Sequence, residues 1–248
     1  MPYLRSFIFD IYFYIVCALI SIFCLPFLMG PISWSFIPSR LWGYLTLFGA
    51  RWILGLDYKV EGAHNLPEKP YIIASKHQSA WETVAMCYLL PSPVFIMKKE
   101  LKYVPLFNLY FARQKVIAVD RKLGKDAIIP MIEAAKFHMQ AERCILIYPE
   151  GTRSEVGKSG RYRGGVFSLQ EGLGVPVVPI ALNSGAFWPR RSMIKKQGVI
   201  TMSILPPIQP GLPREEFMKM LQTVIENRSN QLYEEVRSYD KTKKKSCS

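Results

Sequence analysis

Cys144-Ile145-Leu146-Ile147-Tyr148-Pro149-Glu150-Gly151-Thr152-Arg153-Ser154 is the stretch on which the fold turns. Five apolar or aromatic residues in a row, with no polar alternation, fit a strand buried on both faces, as in a parallel sheet. The abrupt change to Pro-Glu-Gly-Thr-Arg puts turn-forming and chemically able residues at the carboxyl end of that strand. Open α/β sheets bind their ligands there. Gly151 allows close backbone approach, Thr152 offers a hydroxyl, and Arg153 offers a planar fork suited to phosphate. A preset tetrapeptide such as Glu-Gly-Thr-Arg arises by chance in a chain this long on the order of once per thousand sequences. The bland alternative is a polar turn with a surface arginine. The loop that follows, KSGRYRGG at 158–165, is either an anion cradle or an ordinary flexible loop.

Outward from this strand the same texture recurs. Apolar runs stand at 71–75 (YIIAS), 94–97 (VFIM), 115–119 (KVIAV), 175–182 (VPVVPIAL) and 199–205 (VITMSIL). Between Lys125 and Arg143, Ile128, Met131, Ile132, Ala135 and Met139 repeat at helical spacing. Strands alternating with helices predict an α/β fold with a largely parallel, mixed sheet flanked by helices. Pro213 to Tyr239 has no internal glycine or proline and reads as a closing helix. Lys241, Lys243, Lys244 and Lys245 then form a basic tail, either a solvated terminus or a contact for anionic lipid.

The first 56 residues differ in composition. Ile11 to Met29 carries no charge, and at about 1.5 Å per residue nearly crosses a hydrocarbon layer of roughly 30 Å. The apolar run is too long for the h-region of a usual signal peptide, Asp10 interrupts its start, and no small-residue cleavage site follows. A second apolar segment, Ser39 to Leu56, carries Arg40 and Arg51 among Trp42, Tyr44 and Trp52, the mixture of an interfacial helix. The expected organisation is a membrane-anchoring helical part over 1–56 and a catalytic domain over 57–248. The chain has 32 Lys and Arg against 19 Asp and Glu, a net charge of +13, which calls for an anionic partner: nucleic acid, phospholipid headgroups or a phosphorylated substrate. Five scattered cysteines without a CxxC pair argue against a disulfide framework and a zinc knuckle, and favour a reduced, cytosol-facing region. No metal-ligand set and no RNA- or DNA-binding motif is visible.

Three histidines are candidates for a base working near neutral pH. His64 lies in a turn-like HNLPEKP stretch and reads as a surface residue. His138 ends the amphipathic helix, where the dipole favours it. His77 directly follows the apolar run 71–75, at a strand-to-helix junction. Glu82, five residues on, can fix one imidazole nitrogen and leave the other as base, provided His77 lies ahead of the helix. His-x4-Glu alone is weak. Ser79 lacks the small-residue elbow that presents a nucleophilic serine.

Taken together, these blocks resemble the glycerolipid acyltransferases of the 1-acylglycerol-3-phosphate acyltransferase type. The family's Asn-His-x4-Asp block is matched by Lys76-His77-Gln78-Ser79-Ala80-Trp81-Glu82. Its apolar strand ending in Asp-Arg is matched by Val116 to Arg121. Pro149 to Arg153 matches Pro-Glu-Gly-Thr-Arg in full, and Val175 to Ile180 matches the apolar run around proline. Lys98-Lys99-Glu100-Leu101 looks like the family's basic element after the second strand. Lys76 replaces the usual Asn and Glu82 the usual Asp. The resemblance spans about 70–205.

The resemblance implies the family's α/β fold and acyl transfer from a thioester, acyl-CoA or acyl-carrier protein, to the sn-2 hydroxyl of lysophosphatidic acid. The product would be phosphatidic acid, made for phospholipid biosynthesis without a cofactor or metal. His77 would be the general base, oriented by Glu82. Arg153 and Arg121 would hold the acceptor phosphate, with Lys98 a weaker candidate. Glu150 would orient Arg153, while Gly151 and Thr152 line the site, backbone amides near Gly151 facing the developing oxyanion. The enzyme would sit at the cytoplasmic membrane among its phospholipids, facing the cytoplasm, with no nucleic-acid partner. The alternatives are another lysolipid acceptor, such as lyso-ornithine lipid, or a non-catalytic lipid-binding protein.

Overall fold

The structure, a computed structural model, describes residues 2–245, with side chains up to 238. The lysines of the basic tail lie outside the described side chains.

Two helices come first: α1 (Pro2–Phe23) and α2 (Phe36–Gly49), the latter extended by a π-helical turn at Ala50–Leu54. Strands and helices then alternate as β1 (Leu56–Glu61), β2 (Ile72–Ser75), α3 (Trp81–Leu89), β3 (Val94–Lys98), α4 (Phe107–Gln114), β4 (Ile117–Val119) and α5 (Ile128–Gln140). The order continues with β5 (Ile145–Ile147), α6 (Gly165–Leu173), β6 (Val177–Leu182), the short α7 (Ser184–Phe187), β7 (Gly198–Ile204) and α8 (Arg214–Lys245). All six apolar runs form strands. The seven-stranded sheet has the order β1-β7-β6-β2-β5-β3-β4. From β6 to β4 every pairing is parallel, whereas β7 runs antiparallel to β6 and carries β1 alongside it. This is a mixed, largely parallel α/β sheet.

Successive strand residues face opposite sides. Ile73, Leu146, Val178 and Ile180 face α1, α2 and α3, meeting Phe9, Leu47, Leu54, Trp81 and Met86. Ile72, Ala74, Ile145, Ile147 and Val177 face α5, α6 and α8, meeting Met131, Val166, Leu169, Phe217 and Leu221. Each large side chain fully buried here contributes about 1.5–3 kcal/mol. Strand β1 was not foreseen: its sequence, LDYKVE, mixes charges with apolar residues because it pairs only with β7 and is partly exposed.

Residues 1–56 change composition at their end but not packing. Phe9 is wholly buried and meets Trp188 edge-on at 5.3 Å between ring centroids. Asp10 accepts from Lys195 Nζ at 2.6 Å, and Tyr12 donates to the Leu45 carbonyl at 2.7 Å. Helix α1 starts at Pro2 rather than Ile11, because Asp10 has this buried partner, and it ends before Pro26, which begins a 3-10 turn. It is long and apolar enough to cross a membrane. Its outward side exposes Tyr3, Phe7, Tyr14, Ile15, Ile22 and Phe23.

Candidate active site

Because β2, β5, β3 and β4 are parallel, the residues following each strand gather at one edge of the sheet. Lys76 and His77 follow β2, Tyr148 to Arg153 follow β5, Lys98 ends β3, and Asp120 and Arg121 follow β4.

His77 lies in the extended link before α3, as its pairing with Glu82 demands. Its Nδ1 stands 2.9 Å from Glu82 Oε1. The same oxygen accepts the amides of Gln78 and Ser79, each at 2.6 Å. Glu82 Oε2 accepts the Ser184 hydroxyl at 2.8 Å. The wholly buried carboxylate is thus held by four donors at the first turn of its own helix, where the dipole also favours negative charge. The carboxylate takes Nδ1–H and leaves Nε2 with a free lone pair. The Tyr148 ring stacks on the imidazole, 4.0 Å between centroids and 17° from parallel. Burial first, and then the Glu82 charge, push the Tyr148 hydroxyl well above its ordinary pKa, so it stays neutral. Ser79 is buried, and its hydroxyl accepts the Trp81 amide at 3.0 Å, a turn-capping role.

Glu150 does not orient Arg153. Its Oε1 accepts the His77 amide at 3.0 Å and its Oε2 accepts Lys76 Nζ at 3.2 Å. Lys76, only 1% exposed, also donates to Glu226 of α8 at 2.7 Å, and Tyr162 donates to the same Glu226 oxygen at 3.0 Å. A buried ammonium needs such partners, so an acid between the strands is consumed by the lysine that replaces the family's asparagine. The 158–165 loop closes over this cluster: the Lys158 carbonyl accepts from Lys76 at 3.4 Å, and a Cβ at Gly160 would lie 2.7 Å from Glu150 Oε2.

Gly151 has φ +70°, a left-handed conformation. Its amide is spent on the Tyr148 carbonyl at 2.9 Å, so it is not an oxyanion donor as expected from the sequence. Arg121 donates to the Gly151 carbonyl. Arg163 packs on its other side, where a Cβ at Gly151 would stand 2.9 Å from Arg163 Nε. Desolvation and the facing charge of Arg163 hold the Arg121 guanidinium below its ordinary pKa. Neither arginine has a carboxylate within ion-pair distance among the described residues, which leaves two facing cations against Gly151. Arg153 is partly buried, with its charge felt at Tyr148 and its carbonyl accepting from Arg190 at 2.6 Å. Thr152 is exposed. Lys98 is half exposed and paired with Glu100 at 3.2 Å. His64 is exposed, and His138 is buried, its Nε2 2.9 Å from the Lys115 carbonyl.

An apolar cavity of about 330 Å³ opens between α1, α2, α3, β3 and α4, with Cys17, Ile20, Thr83, Cys87, Phe95 and Met97 among its walls. Thr83 also bonds to Tyr148, whose ring stacks on His77, which places one wall of the cavity near the histidine. A larger groove, about 860 Å³ between the 205–212 segment and α8, opens where β7 ends; since β7 is antiparallel to β6, that is the opposite edge of the sheet.

Sequence reasoning missed four contributors: the stacked Tyr148 ring, Ser184, Glu226 and Arg163. Tyr148 and Arg163 lay within the quoted motif and loop and were legible as neighbours. Ser184 and Glu226 meet the site only through tertiary packing.

A histidine–carboxylate pair ahead of a helix, with unpaired arginines at the same sheet edge, defines the class. The chain belongs to the acyltransferase family, whose sequence profile matches residues 57–183. It is 36% identical over 187 residues to the 1-acyl-sn-glycerol-3-phosphate acyltransferase of Pseudomonas aeruginosa, covering 75% of this chain and 72% of that protein. It is 32% identical over 167 residues to the human 1-acyl-sn-glycerol-3-phosphate acyltransferase alpha, covering 66% of this chain and 59% of that one. The crystal structure of the 1-acyl-sn-glycerophosphate (LPA) acyltransferase PlsC from Thermotoga maritima shares the fold, with a TM-score of 0.78 over 94% of this chain and 98% of that chain at 22% identity.

Proposed function

We propose that the chain transfers an acyl group from a thioester, acyl-CoA or acyl-carrier protein, to the sn-2 hydroxyl of 1-acylglycerol-3-phosphate, giving phosphatidic acid. The observation that carries this reading is the 2.9 Å contact between His77 Nδ1 and Glu82 Oε1, with two unpaired arginines at the same sheet edge. His77 Nε2 accepts the proton of the acceptor hydroxyl as its oxygen attacks the thioester carbonyl. Glu82 stabilises the imidazolium that results. When the tetrahedral intermediate collapses, the C–S bond breaks and the imidazolium returns its proton to the departing thiolate. No acyl-enzyme is formed. Arg153, Arg121 and Arg163 hold the acceptor phosphate, and the apolar cavity takes an acyl chain.

Membrane association follows from the outward apolar face of α1, and both substrates carry chains that belong in a bilayer. Helix α1 packs along the protein from Ser6 to Ser21, so it lies on one leaflet with its other face in lipid, on the cytoplasmic side where acyl thioesters are found.

The test uses the full chain in vesicles with lysophosphatidic acid, either thioester donor, and a panel of other lysolipids. Phosphatidic acid should form fastest from lysophosphatidic acid. His77→Ala should lower kcat by about 10²–10⁴-fold or more while the protein is recovered in normal amount. Parallel loss of folded protein and activity, or equal use of every acceptor, would defeat the proposal.

A further inference from the structure

Between β3 and α4 the chain does something unusual for a segment next to a catalytic edge. Residues 101–106 are all exposed, and four of the six are large apolar residues: Leu101, Tyr103, Val104 and Leu106. Leu109 on α4 continues the patch, and Tyr103 is 73% exposed. The exposure is built into the backbone. The Phe107 amide donates to the Pro105 carbonyl at 2.8 Å, closing a γ-turn that holds Leu106 at φ +66°, a strained conformation for leucine. Contiguous apolar surface of this kind marks a site that meets another apolar phase.

The patch lies beside α1 and α2, because α4 is tied to those helices and to the turn before α2. Tyr110 donates to the carbonyls of Ile20 and Ser21 at 3.3 and 3.1 Å, and Gln114 donates to the Ser35 carbonyl at 2.6 Å and to Ser39 Oγ at 2.8 Å. Phe107 meets Trp42 at 6.1 Å. Leu101 and Phe107 also line the apolar cavity near His77, which puts the patch at its mouth. The rim is basic. Lys98, Lys99 and Lys102 flank the patch on one side, the first two paired with Glu100 and Asp120, and Lys122 and Lys125 follow β4 at the same sheet edge, so lysines outnumber acids there.

We infer that residues 101–109 form a second lipid-contacting element that enters an anionic bilayer alongside α1, with the lysine rim at headgroup level. An apolar tip with lysines beside it is the arrangement that partitions into an anionic interface, combining area burial with attraction to the headgroups. The cavity then opens into the lipid phase, and an acyl chain reaches the base without crossing water.

The test reads lipid contact without turnover, so it stands apart from the acyltransferase assay. The full chain is reconstituted in vesicles of phosphatidylcholine and phosphatidylglycerol carrying a diazirine on the acyl chain, illuminated, and digested with trypsin. Adducts are expected in the peptide Tyr103–Arg113 within a few-fold of the yield in Ser6–Arg40. The peptide Met220–Arg228 serves as comparison: it contains Met220, 40% exposed, on the face of the sheet opposite α1, and should stay unlabelled. Labelling of Tyr103–Arg113 no higher than that of Met220–Arg228 would overturn the inference. The full-chain variant Tyr103→Glu/Leu109→Glu should bind the same vesicles about tenfold more weakly. An unchanged vesicle affinity would overturn it too.

Discussion

Lys76, next to His77, reaches Glu226 in the C-terminal helix at 2.7 Å across 150 residues of sequence. The contact is dry on the lysine side: the Lys76 side chain is 2% exposed and that of Glu226 11%. Through Glu150, which accepts from both Lys76 Nζ and the His77 amide, α8 is coupled to the backbone of the base.

Removing only the cation leaves two buried carboxylates facing each other. Lys76→Met is expected to cost about 3–5 kcal/mol, and Lys76→Met/Glu226→Gln less than the sum of the single changes. Urea unfolding of the two single variants and the double variant measures the coupling. Additive effects would mean that the pair does not act as a unit.

The two oxygens of Glu82 take different side chains: Oε1, which also accepts the Gln78 and Ser79 amides, meets His77, and Oε2 meets Ser184. Aspartate is shorter by about 1.5 Å, so it cannot hold His77 and Ser184 together. Glu82→Asp should lower kcat about tenfold, while Glu82→Gln, unable to stabilise the imidazolium, should lower it by on the order of 10⁴. Ser184→Ala should fall between wild type and Glu82→Asp, with KM little changed. Steady-state kinetics on one acceptor series checks the ranking; a fully active Glu82→Gln would remove the carboxylate from the reaction.

In the proposed function Arg153, together with the facing pair Arg121 and Arg163, holds the acceptor phosphate. Arg153→Ala and Arg163→Ala should each raise KM for lysophosphatidic acid about 10–100-fold, the range of one charge-assisted contact, with a smaller effect on KM for the donor. Arg163→Lys should recover part of the loss, because charge returns without the fork. An acceptor lacking phosphate should be nearly indifferent to either change. Equal sensitivity in that acceptor would make the arginines structural.

His138 gives the fold an acid limit. Burial first, and then the Arg143 charge, hold it below its ordinary pKa, against the Lys115 carbonyl contact that pulls upward. The unfolded histidine, near pH 6.5, binds its proton before the folded one does. Its contribution to stability is therefore complete above about pH 6.5 and is lost as pH falls below that value. Urea midpoints measured down from neutral pH should decline less steeply in His138→Gln than in wild type.

Much of this arrangement was legible in the sequence because parallel strands advertise themselves. Runs such as Cys144–Tyr148 are apolar on both faces, so they stand out, and whatever follows them lies at one sheet edge. That alone gathers His77, Glu150, Arg153 and Arg121. Strand β1 escaped notice since a half-exposed strand pairing on one side needs no continuous apolar run. Glu150 was assigned to Arg153 because the two are neighbours in the chain. The buried ammonium of Lys76 claimed it instead, and desolvation cost outweighs proximity. Ser184 and Glu226 carry no motif, since Ser184 is 102 residues from Glu82 and Glu226 is 150 residues from Lys76.

The contact between Asp10 and Lys195 also sets a schedule. The two residues are 185 positions apart, and Phe9 finds Trp188 in the same place. On the ribosome α1 emerges first, yet the surface it must cover does not exist until β6 and the segment after it have been made. During that interval α2 alone can cover it, through Leu45 and Trp42, while Phe9 still lacks Trp188, and long-range contacts of this kind close last. A bilayer shelters the exposed apolar side of such a helix while it waits, so in the proposed function the membrane serves assembly before it serves catalysis.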